Sequence, residues 1–175
     1  MTGRKLFITV VLLAAIPACI VMAGGAGGTG YGYQYFDPQL SNVNLGMSYI
    51  TGYGYGVNRW GNRIGGFGTA LLSEPGQTAG GVGGMLMGQE WRAGPLVAAM
   101  TFWGGLGGAS FQHHGYMLVF GEADVELGIR FLPWMQVVAY AGYQAWGNTI
   151  PGFPFKNVFV YTPVVGIRIG WGGLY

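Results

Sequence analysis

Residues 116–131 read YMLVFGEADVELGIRF, and their alternation decides what kind of chain this is. In an extended strand successive side chains point to opposite faces. Met117, Val119, Ala123, Val125, Leu127, Ile129 and Phe131 therefore share one face, while Glu122, Asp124, Glu126 and Arg130 share the other. A soluble β-sandwich would bury the apolar face and hydrate the charges. A membrane barrel turns the apolar face to lipid and encloses the charges.

Composition separates the two. Of 175 residues, 51% are hydrophobic and 15% aromatic, only 8% are charged, and 36 are glycine, whereas an ordinary globular domain has about 25% charged residues and about 7% glycine. So few charges cannot cover a normal soluble surface. Glycine weakens helix interiors, so glycine with many aromatics points to closely packed strands in a single domain.

Arg4 and Lys5 precede an apolar run from Leu6 to about Ala23, and Val21 and Ala23 are the small residues of a signal-peptidase site. Residues 1–23 thus read as an export signal and 24–175 as the mature domain. A retained transmembrane helix is the alternative, although Pro17 interrupts the run and nothing downstream supplies a second helix. Ile16-Pro17-Ala18-Cys19 has the outline of a lipobox, which leaves lipidation of Cys19 open.

Removing the signal takes Arg4 and Lys5 from the eight basic residues, leaving six against six acidic ones. A neutral mature chain offers no electrostatic basis for binding nucleic acid. Cys19, the one cysteine, leaves with the signal, so neither a disulfide framework nor a cysteine-based metal site or nucleophile is available, and no cofactor is implied.

Eight strands are predicted, at 30–36, 44–57, 62–73, 80–91, 95–106, 116–131, 135–147 and 157–171, after a glycine-rich lead-in at 24–30. The first is the least secure, and without it the count is seven. Longer loops are predicted at 37–43, 74–78, 106–115 and 148–156, alternating with short links at Asn58–Gly61, Arg92–Pro95 and Leu132–Trp134. Such alternation belongs to an antiparallel up-and-down barrel, with short turns at one end and longer loops at the other. The two-faced pattern recurs. Met135, Val137, Ala139, Ala141, Tyr143 and Ala145 alternate with Gln136, Tyr140 and Gln144, and Phe159, Tyr161, Val165, Ile167, Ile169 and Trp171 alternate with Thr162, Val164 and Arg168. In 44–57, Leu45, Met47, Tyr49, Tyr53, Tyr55 and Val57 are assigned to the lipid face, and Asn44, Ser48 and glycines to the interior. Tyr31, Tyr33, Tyr53, Tyr55, Trp91, Trp171 and Tyr175 are candidates for aromatic girdles.

With its last strand alternating through Val165, Ile167, Ile169 and Trp171 toward the terminal aromatic Tyr175, the chain resembles the small eight-stranded outer-membrane β-barrels. The resemblance covers everything after the signal. It implies the outer membrane of a Gram-negative-type bacterium, with membrane lipids and the barrel-assembly machinery as partners and an extracellular ligand of unknown identity.

Within such a barrel Glu90, Glu122, Asp124 and Glu126 would be too costly as isolated ions, so Arg63, Arg130 and Arg168 are expected opposite them, joined by Arg92 if its strand extends that far. A network that closes the lumen and fixes register is favoured over a proton-coupled gate, because eight strands leave room for little besides side chains. His113 and His114 are the other residues that invite chemistry: adjacent histidines suggest a metal, and Ser110 nearby suggests a hydrolase. Neighbouring strand residues face opposite ways, however, and no nucleophile motif surrounds them, so an exposed loop pair is the simpler reading. The runs Gly80–Gly84 and Gly104–Gly108 lack the Lys-Ser/Thr of a phosphate loop and read as tight strand packing. The expected function is structural or surface-binding and non-enzymatic. The competing readings are a soluble or lipid-tethered barrel carrying an apolar ligand, and a lipid-modifying barrel enzyme.

Overall fold

The computed structural model describes residues 24–35, 46–72, 78–111, 114–148 and 159–173, with backbone alone at 78, 79, 111 and 114. The export signal, Cys19 and Tyr175 lie outside the described residues, as does His113. Eight strands, β1 (Gly24–Tyr35), β2 (Gly46–Val57), β3 (Asn62–Leu72), β4 (Thr78–Ala93), β5 (Leu96–Phe111), β6 (His114–Leu132), β7 (Met135–Asn148) and β8 (Phe159–Gly173), pair antiparallel in sequence order. The sheet closes where β1 meets β8, with Thr29 opposite Ile169 and Tyr33 opposite Val165. Closure leaves no unpaired edge strand.

The three short links expected from the sequence lie together at one end. Asn58 Oδ1 accepts from the backbone N–H of Trp60 and of Asn62, both at 3.0 Å, and Gly61 completes the reversal at φ +83°, where a side chain would be strained. Gly94, at φ +60°, opens the two-residue link to Leu96, a position that glycine fills in tight hairpins.

Two boundaries and one strand's parity differ from the sequence reading. The lead-in from Gly24 is strand, because it supplies the ladder that both β2 and β8 need: Gly24 pairs with Val57, and Gly27 with both Gly54 and Trp171. Its inward glycines also make room for lumen tyrosines, since a Cβ at Gly28 or at Gly32 would fall 2.6 Å from the hydroxyl of Tyr53 or of Tyr49. Within the loop expected at 106–115, residues 106–111 and 114–115 are likewise strand. β5 and β6 pair without interruption from Leu96–Ile129 to Phe111–His114, which leaves only 112 and 113 between them, so loop lengths do not alternate strictly. Glycine's poor strand propensity is overridden here by ladders on both sides of β5, with Gly104 opposite both Met85 and Gly121.

The third difference is parity. On β2 it is Met47, Tyr49, Thr51, Tyr53, Tyr55 and Val57 that face the lumen, while Ile50, Gly52 and Gly54 lie on the exposed face, the reverse of the expectation. Tyr53 and Tyr55 therefore belong to the interior and not to a girdle. The other strands keep the expected sides. Val125, Leu127, Ile129 and Phe131 are exposed while Glu122, Asp124 and Glu126 are buried, and Leu118 and Phe120 share the inward face.

Candidate functional site: the lumen network

The lumen has two layers. Toward the long-loop end it is mainly apolar, with Phe120 and Trp146 rings 4.8 Å apart, Phe67 against both Phe120 and Trp103, and Met47, Leu71, Leu118, Val160 and Val164 packed beside the buried polar Gln34 and Thr162. Toward the short-turn end it is ionic. The inward register of β3, β4, β6 and β8 carries the charges into one layer, with the polar side chains of β2, β5 and β7 around them.

Glu126 sits at the centre, its two oxygens taking different arginines. Oε2 accepts from Arg63 Nη1 at 2.6 Å, and Oε1 from Arg168 Nη1 at 2.7 Å and from the Thr101 hydroxyl at 3.0 Å. Arg168 Nη2 reaches Glu122 Oε1 and Asp124 Oδ2, each at 2.8 Å, so one guanidinium answers three carboxylates of β6. Arg63 also pairs with Glu90, and the other oxygen of Glu90 takes Arg92, which β4 does reach far enough to present inward. Both central guanidiniums lie against aromatic faces as well: Arg63 Cζ is 4.6 Å from the centre of Tyr55, and Arg168 Cζ is 3.6 Å from Tyr140 and 4.4 Å from Trp103. Planar guanidinium suits this double use, because its edge donates while its face stacks.

Neutral groups tie the carboxylates to the wall. Trp103 Nε1 donates to Asp124 at 2.8 Å, and Gln144 donates to Glu122 at 2.6 Å and to the Tyr49 hydroxyl at 3.0 Å. The Tyr49 and Tyr140 hydroxyls are 2.8 Å apart, and Gln136 donates to Tyr55 at 3.3 Å. In a low-dielectric lumen each of these bonds removes a polar group that would otherwise be costly to bury.

Six of the seven network residues expected from the sequence, Glu90, Glu122, Asp124, Glu126, Arg63 and Arg168, meet in this layer together with Arg92. Arg130 does not join them. It lies at the short-turn mouth, where its guanidinium donates to the Gly94 carbonyl at 3.5 Å. His114 is the first residue of β6 and Ser110 an exposed residue of β5, so these two belong to strands and not to a loop. The sequence reading missed Tyr49, Tyr55, Thr101 and Trp103. Thr101 and Trp103 stand in register with Asp124 and Glu122, so a correct β5–β6 pairing would have exposed them. Against the network lies a void of about 10 Å³ bounded by Tyr53, Leu86 and Gln136, room for about one water molecule.

Fold and interior together define a class, the closed eight-stranded antiparallel barrel with an apolar exterior and an ion-paired lumen. The crystal structure of neisserial surface protein A is similar to this chain, with a TM-score of 0.64 at 9% sequence identity over 85% of this chain and 96% of that one. At that identity the likeness is one of fold. No protein-family model matches the chain, and no characterised protein matches it in sequence.

Proposed function

We propose that the chain is a sealed outer-membrane barrel whose role is structural or is binding at the surface through its long-loop end. The observation that carries this reading is the inversion of the usual globular pattern. Met85, Met87, Phe102, Leu106, Val125, Leu127, Ile129, Val165 and Ile167 are exposed around the outside while Arg63, Glu90, Glu122, Asp124, Glu126 and Arg168 are buried. A contiguous apolar belt of that extent far exceeds the few hundred Å² that a soluble monomer exposes, and lipid is the solvent it fits. The strands are long enough, since about 9–11 tilted residues cross a bilayer and the shortest here has 11.

The filled lumen supports sealing over conduction. It also weighs against carriage of an apolar ligand, for which the void of about 10 Å³ beside the network is too small. Membrane insertion is tested by carbonate or salt extraction without detergent: protein that stays with the membrane and migrates differently on a gel before and after heating supports the reading, and release into the soluble fraction refutes it. Sealing is tested in planar bilayers, where steady ion conductance by the native protein would overturn it.

A further inference from the structure

Among the described residues the short-turn rim differs chemically from the opposite end. Of the six tryptophans, Trp103 and Trp146 fill the lumen, and the other four, Trp60, Trp91, Trp134 and Trp171, are exposed at the short turns and the strand ends beside them. Among the described residues the exposed aromatics toward the long-loop end are Tyr31, Tyr33, Tyr35, Tyr143, Phe159 and Tyr161. The rim is also basic. Arg59, Arg92 and Arg130 stand there, and its one described carboxylate, Glu90, is 4% exposed and already held by Arg63 and Arg92.

Arg59 is presented by a rigid device. Its guanidinium lies 4.2 Å from the centre of the Trp60 ring, Asn58 caps the turn, and Gln89 of β4 donates to the Trp60 carbonyl at 2.6 Å. No carboxylate among the described residues pairs with Arg59. Beside it opens a cavity of about 480 Å³ whose lining includes Asn58, Arg59, Trp60, Trp91 and Arg92, with Glu90 also in its wall. Indole rings settle at the headgroup level of a bilayer, and cationic side chains next to them meet lipid phosphates.

We infer that this rim is a binding surface for the phosphate-bearing headgroups of anionic phospholipids, seated at the Arg59–Trp60 turn. The inference rests on the membrane reading above, and it adds a headgroup preference that insertion alone does not require. Phospholipid fits better than a free anion because the same ring of indoles that flanks the charge borders the apolar belt at Ile129, Val137 and Ile169.

The test uses the full chain reconstituted in phosphatidylcholine vesicles with increasing phosphatidylglycerol, either lipid carrying brominated acyl chains, and reads quenching of tryptophan emission as a relative association constant. The native protein is expected to prefer phosphatidylglycerol by about fivefold, the effect of about one lipid-facing arginine. Arg59→Gln, an exposed turn substitution, should bring the ratio close to one while heat-modifiable migration is retained. A ratio near one in the native protein, or a preference that survives Arg59→Gln, overturns the proposal. Loss of the preference when excess inorganic phosphate is added at matched ionic strength also overturns it, because the rim would then be a soluble-anion site. Absence of quenching by either brominated lipid would instead refute membrane insertion itself.

Discussion

Strands β6 and β2 have the same alternation and opposite legibility. On β6 the outward residues are aliphatic and the inward ones include three carboxylates, so the face that must be enclosed identifies itself. On β2 the choice is between tyrosines and glycines, and the structure sends Tyr49, Tyr53 and Tyr55 inward and leaves Gly52 and Gly54 on the exposed face. The difference shows that alternation reports only that a strand has two faces. Which face is inside depends on where the polar atoms find partners. Tyrosine is apolar by area, but here its hydroxyl joins the lumen: Tyr49 meets Tyr140 and Gln144, and Tyr55 meets Gln136 and Glu90. Facing lipid at mid-strand, those hydroxyls would have no such partners.

Substitutions can break this comparison at either strand. The largest loss is expected from Arg168→Ala, which strips a partner from each of Glu122, Asp124 and Glu126 at once. Removing one side of a buried ion pair costs about 3–5 kcal/mol. Urea titration of the vesicle-reconstituted barrel, followed by the loss of heat-modifiable migration, should show at least that much destabilisation, and an unchanged midpoint would mean that the network does not hold the barrel together. Next comes Val125→Arg on the outward face of β6, exposed between buried Asp124 and Glu126. An arginine on the lipid face near the bilayer midplane costs about 2–4 kcal/mol, read as reduced assembly in the membrane fraction. If Val125→Arg assembles as well as Gln144→Asn, the outward assignment of β6 is wrong.

A smaller effect is expected from Tyr49→Phe on β2, which keeps the ring but removes the hydroxyl that Tyr140 and Gln144 use. Leaving buried polar groups without a partner costs about 1–3 kcal/mol, visible as a lower midpoint in the same titration. A midpoint equal to that of the native protein would place the tyrosine outside the network. The smallest effect is the most diagnostic. At Gly52, on the exposed face, an added Cβ would meet nothing within 4 Å, so Gly52→Leu should change stability by no more than about 0.5 kcal/mol. Failure of Gly52→Leu to assemble would instead put that glycine in the lumen, the parity that the sequence alone suggests.

Much of the fold was legible before the structure. The recurring two-residue period, the turn residues at Asn58–Gly61 and Gly94–Pro95, and the pairing of few charges with abundant aromatics led to eight antiparallel strands in a barrel. The glycine segments were harder. Residues 24–30 and 106–111 have little intrinsic strand preference, and they become strand because neighbours on both sides supply ladder partners, a condition no local window contains. The network was legible in its charges, since buried carboxylates demand arginines of matching parity. Arg130 has that parity but sits a strand-turn too near the mouth, and parity carries no information about depth. Thr101 and Trp103 were hidden for the related reason that their part in the network follows from register with β6 and not from their own neighbours.

The sequence by itself determined that this chain is poor in charge and forms strands with one apolar and one ionic or polar face, because composition and period are properties of the chain read locally. Only the tertiary structure decided which face of β2 turns inward, which arginine reaches which carboxylate, and that four of the six tryptophans gather with Arg59 at one rim. Those choices depend on closure. When β1 pairs with β8, each inward residue acquires a depth and a set of opposite neighbours, and hydrogen-bond partners across the lumen then outweigh the local pattern.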